Sequence, residues 1–302
     1  MSLGELILQQ VVNGLILGSF YALIALGYSM VYGIIKLLNF AHGDIYMTGA
    51  FACLLVFGAL SAAVPGAGGV ILALVASMAL IGVLGYLVQR FAYRPLLGAP
   101  RLSLLITAIG VSLVISNAVM VLTGSRPMPF PSVVDNAAGI GLGGIHVTYM
   151  QIILIVSSAL IMLALTLFIG RTMTGKAMRA IALDKDTCRL MGINVYKIIG
   201  VTFVIGSALA AVAGGFAGVY YGNMVFSMGF SMGIKAFTAA VIGGIGSIPG
   251  AMLGGLLLGL LEAIGTQLLG SEWKDVFAFG LLILILVLRP NGLLGRSEIE
   301  RM

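Results

Sequence analysis

Charged residues are scarce in this sequence. Of its 302 residues only 9% are charged, whereas 60% are hydrophobic. A soluble domain usually carries about 25% charged residues. A soluble chain of this composition would have too few polar side chains to cover its surface. The composition therefore excludes an ordinary soluble domain and predicts a protein whose outer face contacts lipid.

Histidine and cysteine are nearly absent, with two residues of each type. His42 and His146 have no neighbours that would complete a serine–histidine hydrolase site or a metal site. Cys53 and Cys188 are too few for a disulfide scaffold and are predicted to be unpaired thiols. The sequence therefore predicts no catalytic residue, no metal site and no cofactor in this chain, and we expect that it is not an enzyme.

The net charge is +6, but the basic residues lie between apolar runs. They concentrate at 90–101, at 171–197 and beyond Arg289. Lysine and arginine stay on the cytoplasmic side of membrane proteins, so we expect these three segments to be cytoplasmic. The segment 124–148 is then a periplasmic loop, and the N-terminus is predicted to lie outside. This distribution explains the charge without a nucleic-acid partner.

The apolar runs predict an all-α, polytopic bundle of transmembrane helices that forms one domain over residues 1–302. A span needs about 20 apolar residues, so roughly eight or nine spans fit the chain. The first run follows no positive segment and no cleavage site, so we expect it to be a retained span. The run 234–268 is interrupted at 246–250 and is predicted to form two short helices that meet at a turn.

A short pattern recurs in the sequence. Two sets of residues share the same spacing, and they are Phe40, Gly43, Ala50 and Phe51 in one set and Phe226, Gly229, Ala236 and Phe237 in the other. The predicted topology places the two copies on opposite sides of the membrane. That arrangement indicates a possible inverted repeat, which is common in transporters.

The longest polar segment predicted to be cytoplasmic is 171–197. Its composition predicts one surface helix over 176–191 that begins after a break at Gly175, with Gly192 at its C-terminal end and Asn194 capping the next span. Met178, Ile181 and Cys188 would share one face. The segment is either a docking helix for a cytoplasmic partner or a solvated loop that only sets the topology.

Residues 170–177 approximate a phosphate-binding loop. Ala177 stands where such a loop needs a hydroxyl, and the preceding residues form a predicted span instead of a strand. We therefore expect no nucleotide site in this chain.

Two sets of polar residues lie within apolar runs. The first is the segment 39–44, whose candidate gate or pathway residues are Asn39, Phe40, His42, Gly43 and Asp44. Its alternatives are a capped helix break at the interface and a metal pair of His42 with Asp44, which is disfavoured because two ligands are too few. The second is the pair Lys235 and Glu262, both predicted to face inward. Glu262 is either a proton relay or a hydrogen-bonded acid that fixes helix packing.

Several blocks resemble one family of membrane proteins. They are NFAHGDIYMTGAF at 39–51, NGLILGSFYALIALGYSMVYGI before it, RFAYRPL, MGIN at 191–194, KAFTAAVIGGIGSIPGAMLGG and RPNGLLG. The sequence is similar to the LivH-type permeases of high-affinity branched-chain amino acid ABC importers, and the blocks keep that family's order over nearly the whole chain.

The resemblance implies a subunit of the bacterial inner membrane that translocates leucine, isoleucine and valine. The implied partners are a second homologous permease subunit, two cytoplasmic ATPase subunits that use ATP, and a periplasmic binding protein. The segment 171–197 would then contain the ATPase-coupling residues, for which the candidates are Lys176, Arg179, Ile181, Asp184, Asp186, Arg189 and Gly192. Two rivals stay open at this stage: an importer for urea or short amides, and a self-contained ion-coupled carrier or channel.

Overall fold

The computed structural model describes residues 3–132, 138–142 and 145–295. Within these residues the chain is mostly helical. Its helices are α1 (Leu3–Ile35), α2 (His42–Leu60), α3 (Ala67–Val88), α4 (Arg101–Thr123), α5 (Tyr149–Arg171), α6 (Met173–Leu183), α7 (Lys185–Leu190), α8 (Val195–Tyr221), α9 (Met228–Gly243), α10 (Ile248–Leu269) and α11 (Lys274–Leu288). The prediction of an all-α polytopic bundle is confirmed.

Seven of the described helices are long and apolar enough to cross a membrane, namely α1 to α5, α8 and α10. Two shorter helices, α9 and α11, add to these, so the predicted eight or nine spans are roughly consistent with the structure. The predicted turn within 234–268 is confirmed, because α9 ends at Gly243 and α10 begins at Ile248 with Ser247 as its N-cap. The prediction that both helices are short is wrong for α10, which has 22 residues and includes Pro249 and Gly250 in its first turn.

Short strands and helical turns connect the helices. A π-helical turn (Gln89–Tyr93) and a 3-10 turn (Arg94–Leu96) extend α3. Strand β1 (Met128–Pro129) pairs with β4 (Asn223–Met224), and β2 (Gly139–Leu142) pairs with β3 (Ile145–Thr148). Residues 133–137 and 143–144 of the predicted periplasmic loop lie outside the described residues.

Helices α1 and α8 form the centre of the bundle. In the most apolar 18-residue stretch of each helix, 89% of α1 and 72% of α8 is buried, whereas only 22% of α4 is buried. Small residues allow the central helices to approach closely. A methyl group on Gly14 or Gly18 would contact the α10 backbone at 2.8 Å. Because lipid is as apolar as the helix surfaces, the hydrophobic effect does not hold helices together in a membrane, and close van der Waals packing stabilises them instead.

The first four helices pack in the same pattern as the last four. Helix α1 packs on α10 as α8 packs on α3, and α2 contacts α3 and α4 as α9 contacts α10 and α11. The residues that follow α1 and α8, Lys36 and Gly222, both have positive φ angles, of 58° and 67°. Five long helices precede α8, so the two halves run in opposite directions if each helix crosses the membrane. The packing therefore agrees with the predicted inverted repeat.

The connecting segments collect at two ends of the bundle. At one end Lys185 Nζ donates to the Ile35 carbonyl at 3.4 Å, and Leu293 N donates to the Ile242 carbonyl at 2.9 Å. At the other end the Gln9 side chain bonds the His146 backbone, and β1 pairs with β4. This grouping is compatible with the predicted topology. Which end is cytoplasmic stays a prediction.

Candidate functional site

Helix α2 begins inside the bundle and not at one of its ends. His42, its first residue, packs against Gly27 of α1 and Gly206 of α8. Gly27 lies eight residues before the end of α1, which corresponds to about 12 Å along the helix axis. Gly206 lies near the middle of α8. The segment 36–41 therefore turns back from the end of the bundle into its interior before α2 starts.

Helix α9 begins at the same place from the other direction. A methyl group built on Gly43 would collide with the Gly229 backbone, and one on Gly229 would meet the Gly43 carbonyl at 2.8 Å. These two glycines occupy matching positions of the sequence repeat. The N-termini of α2 and α9 thus meet, and only glycine at both positions allows this approach. Helices interrupted in this way form the substrate sites of several transporter folds.

Asp44 lies in the first turn of α2 at this meeting point and is 3% exposed. Its Oδ1 accepts a hydrogen bond from Ser116 Oγ at 2.7 Å, and its Oδ2 accepts one from Ser112 Oγ. Both serines are on α4. Sequence reasoning missed them, although their spacing of four residues places them on one helix face.

The other members of the 39–44 cluster lie around Asp44. Tyr93 OH donates to Asn39 Oδ1 at 2.6 Å, and the Tyr28 and His42 rings are in edge contact with centroids 4.8 Å apart. Phe40 packs on Phe237 and is 37% exposed. The cluster is therefore brought together at the helix break. Whether it acts as a gate or pathway stays a prediction.

Lys235 and Glu262 are both buried and paired. Lys235 Nζ lies 2.8 Å from Glu262 Oε1, and the Glu262 side chain is fully buried. Tyr21 OH donates to Glu262 Oε2 at 2.8 Å. Lys274 lies 3.2 Å from Glu262, and Asp275 lies 2.8 Å from Lys235. The group joins α1, α9, α10 and α11, which is the hydrogen-bonded packing arrangement considered for Glu262.

Sequence reasoning did not find Tyr21, Lys274 or Asp275 as partners in this group. A tyrosine inside an apolar run gives no signal of its partner. The adjacent charges of Lys274 and Asp275 at the start of α11 were the available signal. No group of three or more metal-ligating side chains occurs in the part of the chain that the structure describes.

The predicted single helix over 176–191 is wrong. The structure has two helices, α6 and α7, because Asp184 interrupts the segment. Asp184 has φ −154° and ψ 113°, and its carboxylate accepts the backbone N–H groups of Asp186 and Thr187 at 2.9 and 3.1 Å. An aspartate that caps a new helix cannot also continue the preceding one.

The predicted break at Gly175 is also wrong. The chain breaks at Thr172, whose side chain caps α6 by accepting a hydrogen bond from Gly175 N. Gly175 lies within α6 and packs directly against the Ile169 backbone. It is needed for that contact and not as a helix breaker. Residues 170–171 therefore end α5 and residues 173–177 begin α6, with Thr172 between the two helices.

The predictions for Gly192, Asn194 and the buried face of this segment are confirmed, whereas its coupling role stays a prediction. Gly192 has a positive φ of 81°, and Asn194 caps α8 by accepting a hydrogen bond from Lys197 N at 3.1 Å. Met178, Ile181 and Cys188 are buried together. Four apolar side chains of this segment lie on its surface and are 78–88% exposed: Met173, Leu183, Leu190 and Met191.

The candidate coupling residues differ in their surroundings. Arg179 donates to the Ile169 carbonyl and so ties α6 to the end of α5. Arg189 lies 3.2 Å from Asp186 in an exposed pair. Hydrogen bonds from Thr187 and Asp186 lower the pKa of the Asp184 carboxyl. Lys176 is exposed on α6.

The long apolar helices and the two helices that begin inside the bundle define a multi-pass membrane protein with the architecture of a transporter. The family model described as branched-chain amino acid transport system / permease component matches residues 10–286. The chain is 51% identical to the high-affinity branched-chain amino acid transport system permease protein BraD of Pseudomonas aeruginosa strain PAO1, with 97% of each chain covered.

Two further relatives carry a similar description. The permease protein LivH of Escherichia coli strain K12 is 46% identical over 97% of each chain. LivH of Salmonella typhimurium strain LT2 is 45% identical over the same share. This chain therefore belongs to the family of branched-chain amino acid transport permease components.

Proposed function

We propose that this chain is the membrane-spanning subunit of an ATP-driven importer that translocates leucine, isoleucine and valine across the bacterial inner membrane. In this proposal it works with a second homologous permease subunit, two cytoplasmic ATPase subunits and a periplasmic binding protein. The observation that carries the proposal is the meeting of α2 and α9 inside the bundle, in a chain whose relatives are permeases for these amino acids.

The helix break indicates where substrate passes. Non-helical backbone inside a membrane is tolerated only where protein buries it or water lines it. The segments 36–41 and 222–227 are non-helical apart from turns and the short strand β4, and beside them Phe40 and Phe230 are 37% and 71% exposed. We infer that this face adjoins the second permease subunit and the pathway. Asn39, His42 and Asp44 would then form part of the gate.

The segment with α6 and α7 would receive the ATPase motion. Its buried face fixes it to the bundle through Ile181 and Cys188, while Leu183 and Leu190 are 86% and 88% exposed. Exposed leucines on a polar surface are suited to an apolar groove in a partner protein. Removing one from such a groove costs about 1.5–3 kcal/mol, so ATPase binding should weaken roughly tenfold to a hundredfold for each leucine replaced.

The experiment reconstitutes the full complex in liposomes and compares Leu183→Ser and Leu190→Ser with Val64→Ser. Val64 is 37% exposed and lies between α2 and α3 at the opposite end of the bundle. We expect the leucine variants to remain in the membrane but to lose ATPase subunits and leucine uptake, while Val64→Ser retains both. Full uptake by both leucine variants would contradict the coupling role.

Substrate class is tested separately by competition. We expect unlabelled isoleucine and valine to block labelled leucine uptake, and urea to leave it unchanged. Inhibition by urea at similar concentrations would favour the amide importer instead.

A further inference from the structure

An open cavity of about 460 Å³ lies where α3 ends beside the start of α8. Its lining includes Gln89 and Arg94 from the turns after α3, and Tyr196 and Lys197 from α8. A second opening lined by Arg90, Arg94 and Tyr196 adjoins it. Neither opening is part of the α2–α9 site or of the exposed leucines on α6 and α7.

The lining is basic. Arg94 and Lys197 line the larger opening and Arg90 lines the smaller one, and no aspartate or glutamate lines either within the described residues. The Arg94 guanidinium lies over the Tyr196 ring, 4.7 Å from its centroid. Stacking holds the guanidinium in place and leaves its N–H edge free to bind an oxyanion.

A buried, unsatisfied donor lines the same cavity. Gln89 is 1% exposed, and its Nε2 has no hydrogen-bond partner among the described residues. A buried amide without a partner costs free energy, so a ligand acceptor at this position would be stabilising. Gln89 is also the first residue of a π-helical turn, a distortion that is frequent at functional sites.

Gly200 leaves room for this arrangement. A methyl group at Gly200 would lie 3.2 Å from the Tyr86 ring and 3.6 Å from Gln89 Oε1. Besides its basic and amide side chains, the cavity has an apolar wall, to which Tyr86, Val201 and Val204 contribute. Outside it, Val83 and Phe91 are 58% and 74% exposed on the surface predicted to contact lipid.

We propose that this cavity binds the phosphate headgroup of an anionic phospholipid from the cytoplasmic leaflet. Arg94, Lys197 and Gln89 bind the phosphate oxygens, Arg90 contributes charge at the rim, and the acyl chains lie along the exposed surface of α3. Basic pockets between transmembrane helices on the cytoplasmic side are suited to such headgroups. The proposal depends on the proposed membrane orientation but not on the transported substrate.

The site also contacts the coupling segment. The Arg189 guanidinium lies 5.6 Å from the centroid of the Tyr196 ring on which Arg94 stacks. Arg189 lies in the last turn of α7 and pairs with Asp186. A bound lipid therefore restrains Tyr196 and, through it, the C-terminal part of the coupling segment.

Native mass spectrometry of the purified complex, and of the isolated chain, tests the proposal. Each is loaded with phosphatidylglycerol or phosphatidylcholine. We expect preferential retention of one phosphatidylglycerol. Each charge removed by Arg94→Gln or Lys197→Gln should weaken retention about fivefold, and Arg94→Lys should partly restore it. The matched control is the double variant Arg126→Gln/Arg171→Gln, which removes two basic residues elsewhere and should retain the lipid fully.

Several outcomes would overturn the proposal. One is equal retention of both lipids by the unaltered chain, and another is equal loss in the control variant. Displacement of the lipid by millimolar inorganic phosphate would indicate a free-anion site instead. Retention by the isolated chain but not by the complex would indicate that an ATPase subunit covers the cavity. Because these readouts are masses of bound lipid, a failure of leucine transport leaves them unaffected.

Discussion

Replacing Lys235 alone should destabilise the chain more than replacing Lys235 and Glu262 together. The Lys235 Nζ and Glu262 Oε1 atoms are 2.8 Å apart, and the Glu262 side chain is fully buried. Removing one member of a buried ion pair costs about 3–5 kcal/mol because the other charge loses its compensation. Lys274 and Tyr21 remain bonded to Glu262, so we expect Lys235→Met to cost about 2–3 kcal/mol.

The double variant Lys235→Met/Glu262→Gln leaves no buried charge in the pair. Its glutamine oxygen can still accept the hydrogen bond from Tyr21. We therefore expect a total cost of about 1–2 kcal/mol, because replacing both members of a buried pair with neutral groups is far less costly than removing one. Glu262→Gln alone leaves Lys235 paired with the 70% exposed Asp275 and should cost about 1–2 kcal/mol.

The assay is a double-mutant cycle measured by denaturant unfolding of the purified chain in bicelles. The summed costs of the two single variants exceed the cost of the double variant, which gives a coupling energy of about 2–3 kcal/mol between the two positions. The exposed pair Arg189→Met/Asp186→Asn is the matched control, with an expected coupling below about 0.5 kcal/mol. Additive costs at Lys235 and Glu262, to within about 0.5 kcal/mol, would refute the reasoning.

Three further predictions follow from the site. Gly43→Ala should abolish leucine uptake because its methyl group meets the α9 backbone, whereas Gly58→Ala on the same helix has open space and should transport normally. Asp44→Asn keeps one oxygen that accepts from one of the serines Ser112 and Ser116, and its NH2 group can donate to the hydroxyl of the other, so the fold should be kept. Uptake kinetics should change because Asp44 is proposed to line the pathway, and unchanged kinetics would exclude that role. The protection of the α7 amides, measured as the ratio of intrinsic to observed exchange rate, should fall as pH drops below about 3.8, because the lowered pKa of Asp184 makes its cap stabilising only while it is ionised. Asp184→Asn should remove this pH dependence, and an unchanged protection profile in the unaltered chain would refute the prediction.

The sequence predicts the elements that depend on local composition. Apolar length alone locates the long helices, because lipid requires about 20 apolar residues for each span. Gly192 and Asn194 are predicted correctly, since a positive φ and an N-cap each depend on one residue and its immediate neighbours. The polar cluster at 39–44 is likewise visible as an interruption of an apolar run.

The sequence does not predict which distant side chains meet. Ser112 and Ser116 bond Asp44 from another helix. A serine or threonine in an apolar run usually donates to the backbone of its own helix, as Thr107 does to the Ser103 carbonyl. The break at Asp184 is missed for a different reason. Its charge is typical of a solvated helix, and only the turn geometry identifies it as a cap.

The resemblance identifies the family, but packing identifies the site. Gly43 and Gly229 appear in the sequence only as matching positions of a weak repeat. The structure places them in mutual contact, which explains why both halves need a glycine there. A close backbone approach between helices 186 positions apart is a property of the fold and has no local sequence signal.

Leucine accumulation in proteoliposomes tests the central claim most directly. The purified chain alone is compared with the complete complex, each with and without ATP and binding protein. The account predicts that leucine is concentrated only by the complete complex with ATP, because in the proposed function separate ATPase subunits hydrolyse the ATP. Concentration of leucine by the chain alone, driven by an ion gradient, would contradict it.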